Sequence, residues 1–424
     1  MSKQIQAIRG MNDILPEATS HWQFIEKKFI ECVTAYAYQE IRFPIVESTH
    51  LFKRSIGEVT DIVEKEMYTF SDLNGDSLTL RPEGTAGCVR ACLQQGLLHN
   101  KTQKLWYCGP MFRHEKPQKG RYRQFQQFGI ETFGFDGVAI ELELIQICHE
   151  LWDSLGLSGY IQLEINSIGT IEERNQHKTA LIEYFTQYVD QLDDDSKRRL
   201  SKNPLRILDS KNKALKPLIN KAPKLSDYLS VESKHHFESL CHGLEALNIN
   251  YTINPYLVRG LDYYSHTVFE WTTQALGAQG TVCAGGRYDS LVEQLGGKPV
   301  PAMGLAMGME RILLMLQELD KLPGLSQDAI YIINLGETAQ IQALKLAATL
   351  RKAYPSLQVE ANCLDASFKS QFKKADKSGA VLALILGEDE VKSGTIGVKW
   401  LRKESEQLTL KQSELLAFLQ DNLV

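Results

Sequence analysis

Leu257-Val258-Arg259-Gly260-Leu261-Asp262-Tyr263-Tyr264-Ser265-His266-Thr267-Val268-Phe269-Glu270-Trp271 places an arginine, two tyrosines and a glycine ahead of an apolar run, Val268 to Trp271, that reads as a strand. An arginine supplies a forked donor suited to a carboxylate or a phosphate. A tyrosine hydroxyl both donates and accepts, and so can orient a small heteroaromatic ring. The segment therefore fits the mouth of a site for a small zwitterion or a phosphate ester. It fits equally a sheet edge covered by aromatic and cationic side chains, and nothing within it separates the two readings.

Composition narrows the class. With 424 residues the chain exceeds one typical core, so two or three domains are expected. Hydrophobic content of 43% beside 23% charged residues is that of a globular protein. A formal net charge of -5 argues against general polyanion binding, so any nucleic-acid contact must be local. The first residues carry no apolar signal segment and no run is long enough to span a bilayer, which predicts a cytoplasmic protein without membrane contact. The eight cysteines are dispersed and none forms Cys-x-x-Cys. Cys88 and Cys92 would share a helix face, but no third ligand is in view, so reduced thiols are expected.

Upstream, Trp22, Ile25, Phe29, Val33 and Tyr36 recur at helical spacing. That helix runs into Ile41-Arg42-Phe43-Pro44-Ile45-Val46-Glu47, whose proline predicts an edge or interrupted strand. Met67 to Phe70 and Ser77 to Leu80 read as strands across an Asn74-Gly75 turn, and Lys104 to Gly109 and Phe125 to Phe133 as further antiparallel strands. From about Gly169 to Asn250 charged residues dominate. Leu181, Ile182, Phe185 and Val189 sit there at helical intervals, and Pro204, Pro217 and Pro223 punctuate the stretch. It reads as a helical insertion between two halves of one sheet. Strand character returns at Tyr251 and continues to a glycine hairpin, Ala284-Gly285-Gly286-Arg287-Tyr288-Asp289, before a linker from Leu322 to Gln327. Beyond it, strands over Ala329 to Leu335, Gln358 to Glu360 and Ala380 to Leu386 alternate with helices over Gln340 to Ala353 and Ser367 to Lys377. Such alternation predicts a separate α/β domain. Lys369, Lys373, Lys374 and Lys377 share one of its helices, as residues of a solvated face also do.

Three more stretches carry chemistry. In Leu80-Arg81-Pro82-Glu83-Gly84-Thr85-Ala86 a carboxylate and a hydroxyl sit at a strand-to-helix turn. Glu83 can hold an ammonium group there, although helix capping by Thr85 is the commoner use. Met111-Phe112-Arg113-His114-Glu115-Lys116-Pro117 and Gly120-Arg121-Tyr122-Arg123-Gln124-Phe125-Gln126-Gln127-Phe128-Gly129-Ile130-Glu131 read as strand, loop, strand. Alternation sends Phe125, Gln127, Gly129 and Glu131 to one face. Arg113, Arg121 and Arg123 around this loop suit a triphosphate, and no Gly-x-x-x-x-Gly-Lys-Ser/Thr run supports a P-loop. Ala302-Met303-Gly304-Leu305-Ala306-Met307-Gly308-Met309-Glu310-Arg311-Ile312 is a small-residue strand entering a helix, where a ligand can approach the backbone closely. Ordinary strand-helix packing uses the same residues.

Taken in order, these stretches resemble a class II aminoacyl-tRNA synthetase, and within that class the bacterial type of the histidyl-tRNA synthetase family. Arg9-Gly10-Met11-Asn12-Asp13-Ile14-Leu15-Pro16 resembles the family's opening, and the helix ending at Phe43-Pro44 its dimer motif. Phe112-Arg113-His114-Glu115 with Arg121 to Gln127 resembles the ATP motif, and Gly304 to Arg311 the last class motif. Arg259-Gly260-Leu261-Asp262-Tyr263-Tyr264 and Ala284 to Asp289 resemble the signatures of the histidine enzymes. The resemblance implies an α+β fold: a class II antiparallel sheet flanked by helices in a catalytic core over residues 1–325. A helical insertion over 169–250 interrupts the core, and an α/β anticodon-binding domain over 327–424 follows it. It also implies ATP-dependent ligation of L-histidine to tRNA(His) through a histidyl-adenylate. ATP enters with its Mg2+ as substrate, no resident metal is expected, and the enzyme is a cytoplasmic homodimer.

On the matching residues, the resemblance puts catalysis on Arg259 and Arg113. It puts ATP on Arg113, Glu115, Arg121, Phe125 and Arg311. Histidine falls to Glu83, Gly84, Thr85, Arg113, Gln127, Glu131, Arg259, Tyr263, Tyr264 and Tyr288. Arg113 and Arg259 would face the α-phosphate from opposite sides, Arg259 serving where related enzymes use a metal ion. Glu83, Thr85 and Gln127 would take the ammonium, Glu131 the imidazole N–H, and Tyr264 its lone pair, with Tyr263 and Tyr288 as walls. The insertion would clamp the tRNA acceptor arm without editing. A second class, a synthetase-like histidine-sensing regulatory subunit of ATP phosphoribosyltransferase, shares this core. Such paralogues lose ATP-site residues and the C-terminal domain, and both are kept here.

Overall fold

Period-two alternation gives the larger part of the chain its strands. In chain order they are β1 (Gln39–Glu40), β2 (Val46–Ser48), β3 (Tyr68–Ser71), β4 (Ser77–Leu80), β5 (Gln103–Phe112) and β6 (Gln124–Phe133). β7 (Gln162–Ser167), β8 (Tyr251–Ile253), β9 (Ser265–Thr272), β10 (Thr281–Arg287) and β11 (Ala302–Gly308) follow. The structure is a computed structural model that describes residues 4–57, 60, 62–202, 204–208, 210, 212–261, 263–277, 280–324 and 329–423. Asp262 of the opening segment and half of the expected linker, residues 325–327, lie outside them. Two compact units result, Met1–Leu322 and Pro323–Val424.

Eight strands of the first unit form one sheet in the order β1-β5-β6-β11-β10-β9-β7-β8. Its pairs are antiparallel except at the two edges, where β1–β5 and β7–β8 run parallel. One face carries the core. Phe128 and Ile130 of β6, Leu305 and Met307 of β11, and Phe269 and Trp271 of β9 meet the helices Pro16–Ala35, Ala139–Ser154 and Met309–Glu318. Phe29 stacks on Phe128 at 4.0 Å between ring centres. On the opposite face Leu105, Tyr107, Met111, Phe133 and Val268 join a second apolar cluster, and beside it lie the glycines and polar groups of the candidate site.

The stretch from Ile41 to Glu47 is interrupted, as its proline predicts: β1 before it lies at the edge of the large sheet and β2 at its end in the three-stranded β2-β4-β3. Two expectations need correction. Strand structure does not continue from Tyr251, because the described residues between Ile253 and Ser265 form no strand. Gly285 and Gly286 are not a turn. They lie inside β10 opposite Leu305 and Gly304, and a side chain at Gly285 would meet the Gly304 carbonyl. The Asn74-Gly75 turn does join β3 to β4, with Asp72 Oδ1 accepting from Asn74 and Asp76 N–H at 2.8 and 2.9 Å.

Between β7 and β8 the chain is helical. The helix Ile171–Thr186 opens with a reciprocal cap, Thr170 Oγ1 accepting from Glu173 N–H at 3.2 Å and Glu173 from Thr170 N–H at 2.8 Å. Leu181, Phe185, Leu192, Ile207 and Ile219 make a separate small core, whereas Ile182 and Val189 are exposed. The last helix, Val231–Ala246, differs, sending Leu240 and Leu244 into the core of the main sheet.

The second unit holds β12 (Ala329–Asn334), β13 (Gln358–Ala361), β14 (Leu382–Leu386), β15 (Thr395–Trp400) and β16 (Leu408–Lys411) in the order β13-β12-β14-β15-β16. The first three are parallel and the last two antiparallel. Helices Glu337–Ala353 and Phe368–Lys377 connect the parallel strands, as their alternation predicts. No helix among the described residues is long and apolar enough to cross a membrane.

Candidate active site

Glycines thin the open face of the main sheet. A side chain at Gly84 or Gly129 would enter the Tyr107 ring, and one at Gly304 would enter the Glu131 carboxylate. Over this trough lies an open cleft. Its walls include Glu83, Thr85, Gln127, Tyr263 and Tyr264, together with Arg113, Glu115, Arg121, Phe125, Arg259 and Arg311. Gly84, Glu131 and Tyr288 are not in the wall, and neither is Arg123. The Arg123 side chain instead donates to Glu115 O at 3.2 Å and its N–H to Gly10 O at 2.7 Å, fastening the loop.

Each guanidinium in the cleft is held by a partner. Arg113 Nε donates to Pro82 O at 2.8 Å, and its charge lies 5.3 Å from the Phe125 ring centre. Arg121 Nε pairs with Glu115 Oε2 at 2.7 Å. Arg259 Nη1 pairs with Glu270 Oε1, and Arg311 Nη1 donates to the Thr281 carbonyl. Burial holds Arg311 below the usual arginine range, and nearby Arg121 and Arg113 push the same way. At Arg259 burial is the largest effect and opposes the charge, but Glu270, Tyr264 and Tyr263 together outweigh it and the group is raised. Converging cations in poorly solvated walls favour a multiply charged anion.

Acceptors lie beside these cations. Glu83 Oε2 and Oε1 accept from the N–H groups of Thr85 at 2.7 Å and Ala86 at 3.0 Å. Glu83, not Thr85, therefore caps the helix Thr85–Gln94, and burial raises its carboxyl above the usual range. Among the described residues Gln127 Oε1 is buried without a partner, which costs about 1–3 kcal/mol that a ligand donor would recover. Glu310, passed over in the sequence, also lines the cleft. Both its oxygens accept from Gln126 N–H, at 2.9 and 3.1 Å, and burial pushes its carboxyl up to about 7.

Behind the wall, fully buried Glu131 collects three hydroxyls. Thr85 and Tyr107 donate to Oε1 at 2.7 and 3.0 Å, and Tyr288 donates to Oε2. Burial pushes this carboxyl up to about 8 although the hydroxyls oppose the rise. Tyr107 escaped sequence reasoning. Its available signal was the pair Gly84 and Gly129, whose missing side chains admit its ring. Gly84 accordingly sits against Tyr107 rather than in the cleft. Tyr263 packs 4.7 Å from Tyr264 and 5.6 Å from Tyr288, ring centre to ring centre. Arg287 beside them is a buried clamp: it pairs with Glu141 at 2.9 Å and Asp289 at 3.2 Å, while Asp289 accepts from Ala302 N–H at 2.8 Å.

Comparison with known proteins points to one family. A family model described as histidyl-tRNA synthetase matches residues 10–312, and one described as anticodon binding domain matches residues 329–422. The chain is 62% identical over 421 residues to a histidine–tRNA ligase of Legionella pneumophila (strain Lens), covering 99% of each. The crystal structure of apo S. aureus histidyl-tRNA synthetase shares a TM-score of 0.82 at 36% identity over 98% of this chain and 99% of that one. An ATP phosphoribosyltransferase regulatory subunit/histidyl-tRNA synthetase from Bacillus halodurans C shares a TM-score of 0.63 at 20% identity, over 88% and 97% of the two chains, a likeness of fold alone. With four arginines and a set of buried acceptors lining one cleft on this sheet, the chain belongs to the histidyl-tRNA synthetase family.

Proposed function

We propose that the chain ligates L-histidine to tRNA(His) at the expense of ATP, through a histidyl-adenylate. The observation that carries this reading is the shared cleft, with Arg113, Arg121, Arg259 and Arg311 beside Glu83 and Gln127. The carboxylate of histidine attacks the α-phosphorus, the bond from that phosphorus to the bridging oxygen breaks, and pyrophosphate leaves. The terminal ribose hydroxyl of tRNA then attacks the activated carbonyl and AMP departs. Such steps depend on positioning and charge stabilisation. Arg113 and Arg259 meet the α-phosphate. Arg311 and Arg121, exchanging Glu115 for phosphate, hold the β/γ end, and adenine rests near Phe125. ATP arrives as its Mg2+ complex, and Glu115 lies where that end of the substrate enters.

Histidine is read by its three polar ends. The ammonium meets Glu83, Thr85 and the unpartnered Gln127 oxygen, and the carboxylate meets the arginines. The imidazole enters against Tyr263 and Tyr264, with Tyr288 behind them; Tyr264 donates to its lone pair, and Glu131 accepts its N–H once a hydroxyl that now covers it gives way. An amino acid lacking those groups leaves buried partners unpaired, which supports discrimination of ~10⁴–10⁵ without editing. The enzyme works in the cytoplasm as a homodimer, joined through the helix Pro16–Ala35 and the chain after it. A histidine-sensing regulatory subunit needs neither the arginine set nor an anticodon-binding domain, and this chain has both. The test is charging of tRNA(His) with labelled histidine alongside histidine-dependent pyrophosphate exchange. Both activities are expected, and histidine binding without either would overturn the reading.

A further inference from the structure

Glu270 has no role in the scheme above, yet it touches the guanidinium on which adenylate formation is proposed to depend. Alternation along β9 buries Phe269 and Trp271 in the core and turns Glu270 to the other face. There its Oε1 takes Arg259 Nη1, and its Oε2 accepts from the Thr281 hydroxyl at 2.9 Å. The Thr281 carbonyl in turn accepts from Arg311 Nη1. Arg259 and Arg311 are thus the two ends of one bonded chain, Arg259–Glu270–Thr281–Arg311, whose middle members stand on the adjacent strands β9 and β10.

Arg259 Nε is buried and has no hydrogen-bond partner among the described residues. Glu270 therefore engages one part of the guanidinium and leaves another donor for a ligand. A long arginine side chain loses much rotamer freedom when it is fixed, and a carboxylate that fixes it before the ligand arrives spares the reaction that loss. The carboxylate also compensates a cation that burial alone would disfavour.

We propose that Glu270 is a positioning residue for Arg259, and that through Thr281 it sets the spacing between Arg259 and Arg311 across the triphosphate. The proposal rests on the role of Arg259 at the α-phosphate. It explains why a binding cleft for anions keeps a carboxylate beside its cations: the carboxylate orients one of them.

The test is a double-mutant cycle on the full-length chain, read by single-turnover formation of histidyl-adenylate. In the wild-type background Glu270→Gln slows formation by roughly tenfold or more, while the KM for histidine changes less than about threefold. In an Arg259→Ala background the same substitution adds less than about twofold. Equal losses in both backgrounds, or none in the wild type, overturn the proposal. A full rate in Arg259→Ala overturns the α-phosphate role and the proposal with it, whereas a slow Arg259→Ala beside a fast Glu270→Gln overturns the proposal alone. Thr281→Val gives a second reading with little demand on folding. It removes one hydrogen bond to Glu270, and a loss of about two- to fivefold at unchanged melting temperature is expected. A full rate there breaks the proposed chain.

Discussion

The Tyr107 hydroxyl donates to Glu131 Oε1 at 3.0 Å from a space that Gly84 and Gly129 leave vacant. The carboxylate read in the sequence as a partner for the imidazole is therefore held by a residue from the neighbouring strand. Tyr107→Phe keeps the ring and removes the donor. One neutral hydrogen bond is worth about 1 kcal/mol, so the KM for histidine should rise roughly fivefold while the KM for ATP stays put. Pyrophosphate exchange at varied histidine checks this, and a rise in the ATP term instead would contradict it.

Glu131 also predicts a pH dependence of stability. Its folded pKa of about 8 lies above the ordinary carboxylate value of 4.5. The folded state then binds the proton more tightly than the unfolded one, so the stabilisation is fully present below 4.5 and is lost as pH rises through about 8. Melting temperature of the ligand-free chain should decline across that window, and Glu131→Gln should flatten the decline. An unchanged slope in the variant would remove Glu131 as its source.

Gly129→Ala tests the vacated space directly. The added carbon meets the Tyr107 ring, and overpacking of this kind costs about 1–3 kcal/mol. Urea denaturation should show that loss in Gly129→Ala, and much less of it when Tyr107→Ala is combined with it. Additive losses would mean that the two positions do not compete for one volume.

Excision of residues 171–222 tests the insertion. That part has its own small core, whereas Leu225 and Leu229 pack with Tyr263 and Tyr264, and the helix Val231–Ala246 sends Leu240 and Leu244 under the main sheet, so residues from 223 onward must stay. With a short flexible link in its place, histidine-dependent exchange should persist within about threefold, while charging of tRNA(His) falls by roughly tenfold or more. Equal loss of both activities would count against a tRNA-clamping role.

Much of the site was legible because it follows local rules. Alternation placed Phe125 and Gln127 on the cleft side of β6 and Phe128 on the core side. Arg311 fell in the first turn of the helix Met309–Glu318, as its position after a small-residue strand predicts. What escaped depends on partners distant in sequence. Tyr107 gains its meaning from Glu131, and Glu270 from Arg259 and Thr281. Gly285 and Gly286 read as a turn because glycine favours turns, yet the register with Leu305 and Gly304 uses their lack of side chains for close strand approach. In the second unit β15 and β16 went unseen. β16 is a largely exposed edge, and its four residues carry no apolar run long enough to stand out.

The thinned floor of the cleft has an evolutionary consequence. Gly84 and Gly129 are tied to the Tyr107 ring, and Gly304 to the Glu131 carboxylate, by volume alone. Tyr107 and Glu131 are in turn tied to each other. No one of these five positions can drift to a larger residue without a change at another. A lineage that alters the depth of this pocket therefore needs paired substitutions among the five, since one change alone leaves a clash or a void.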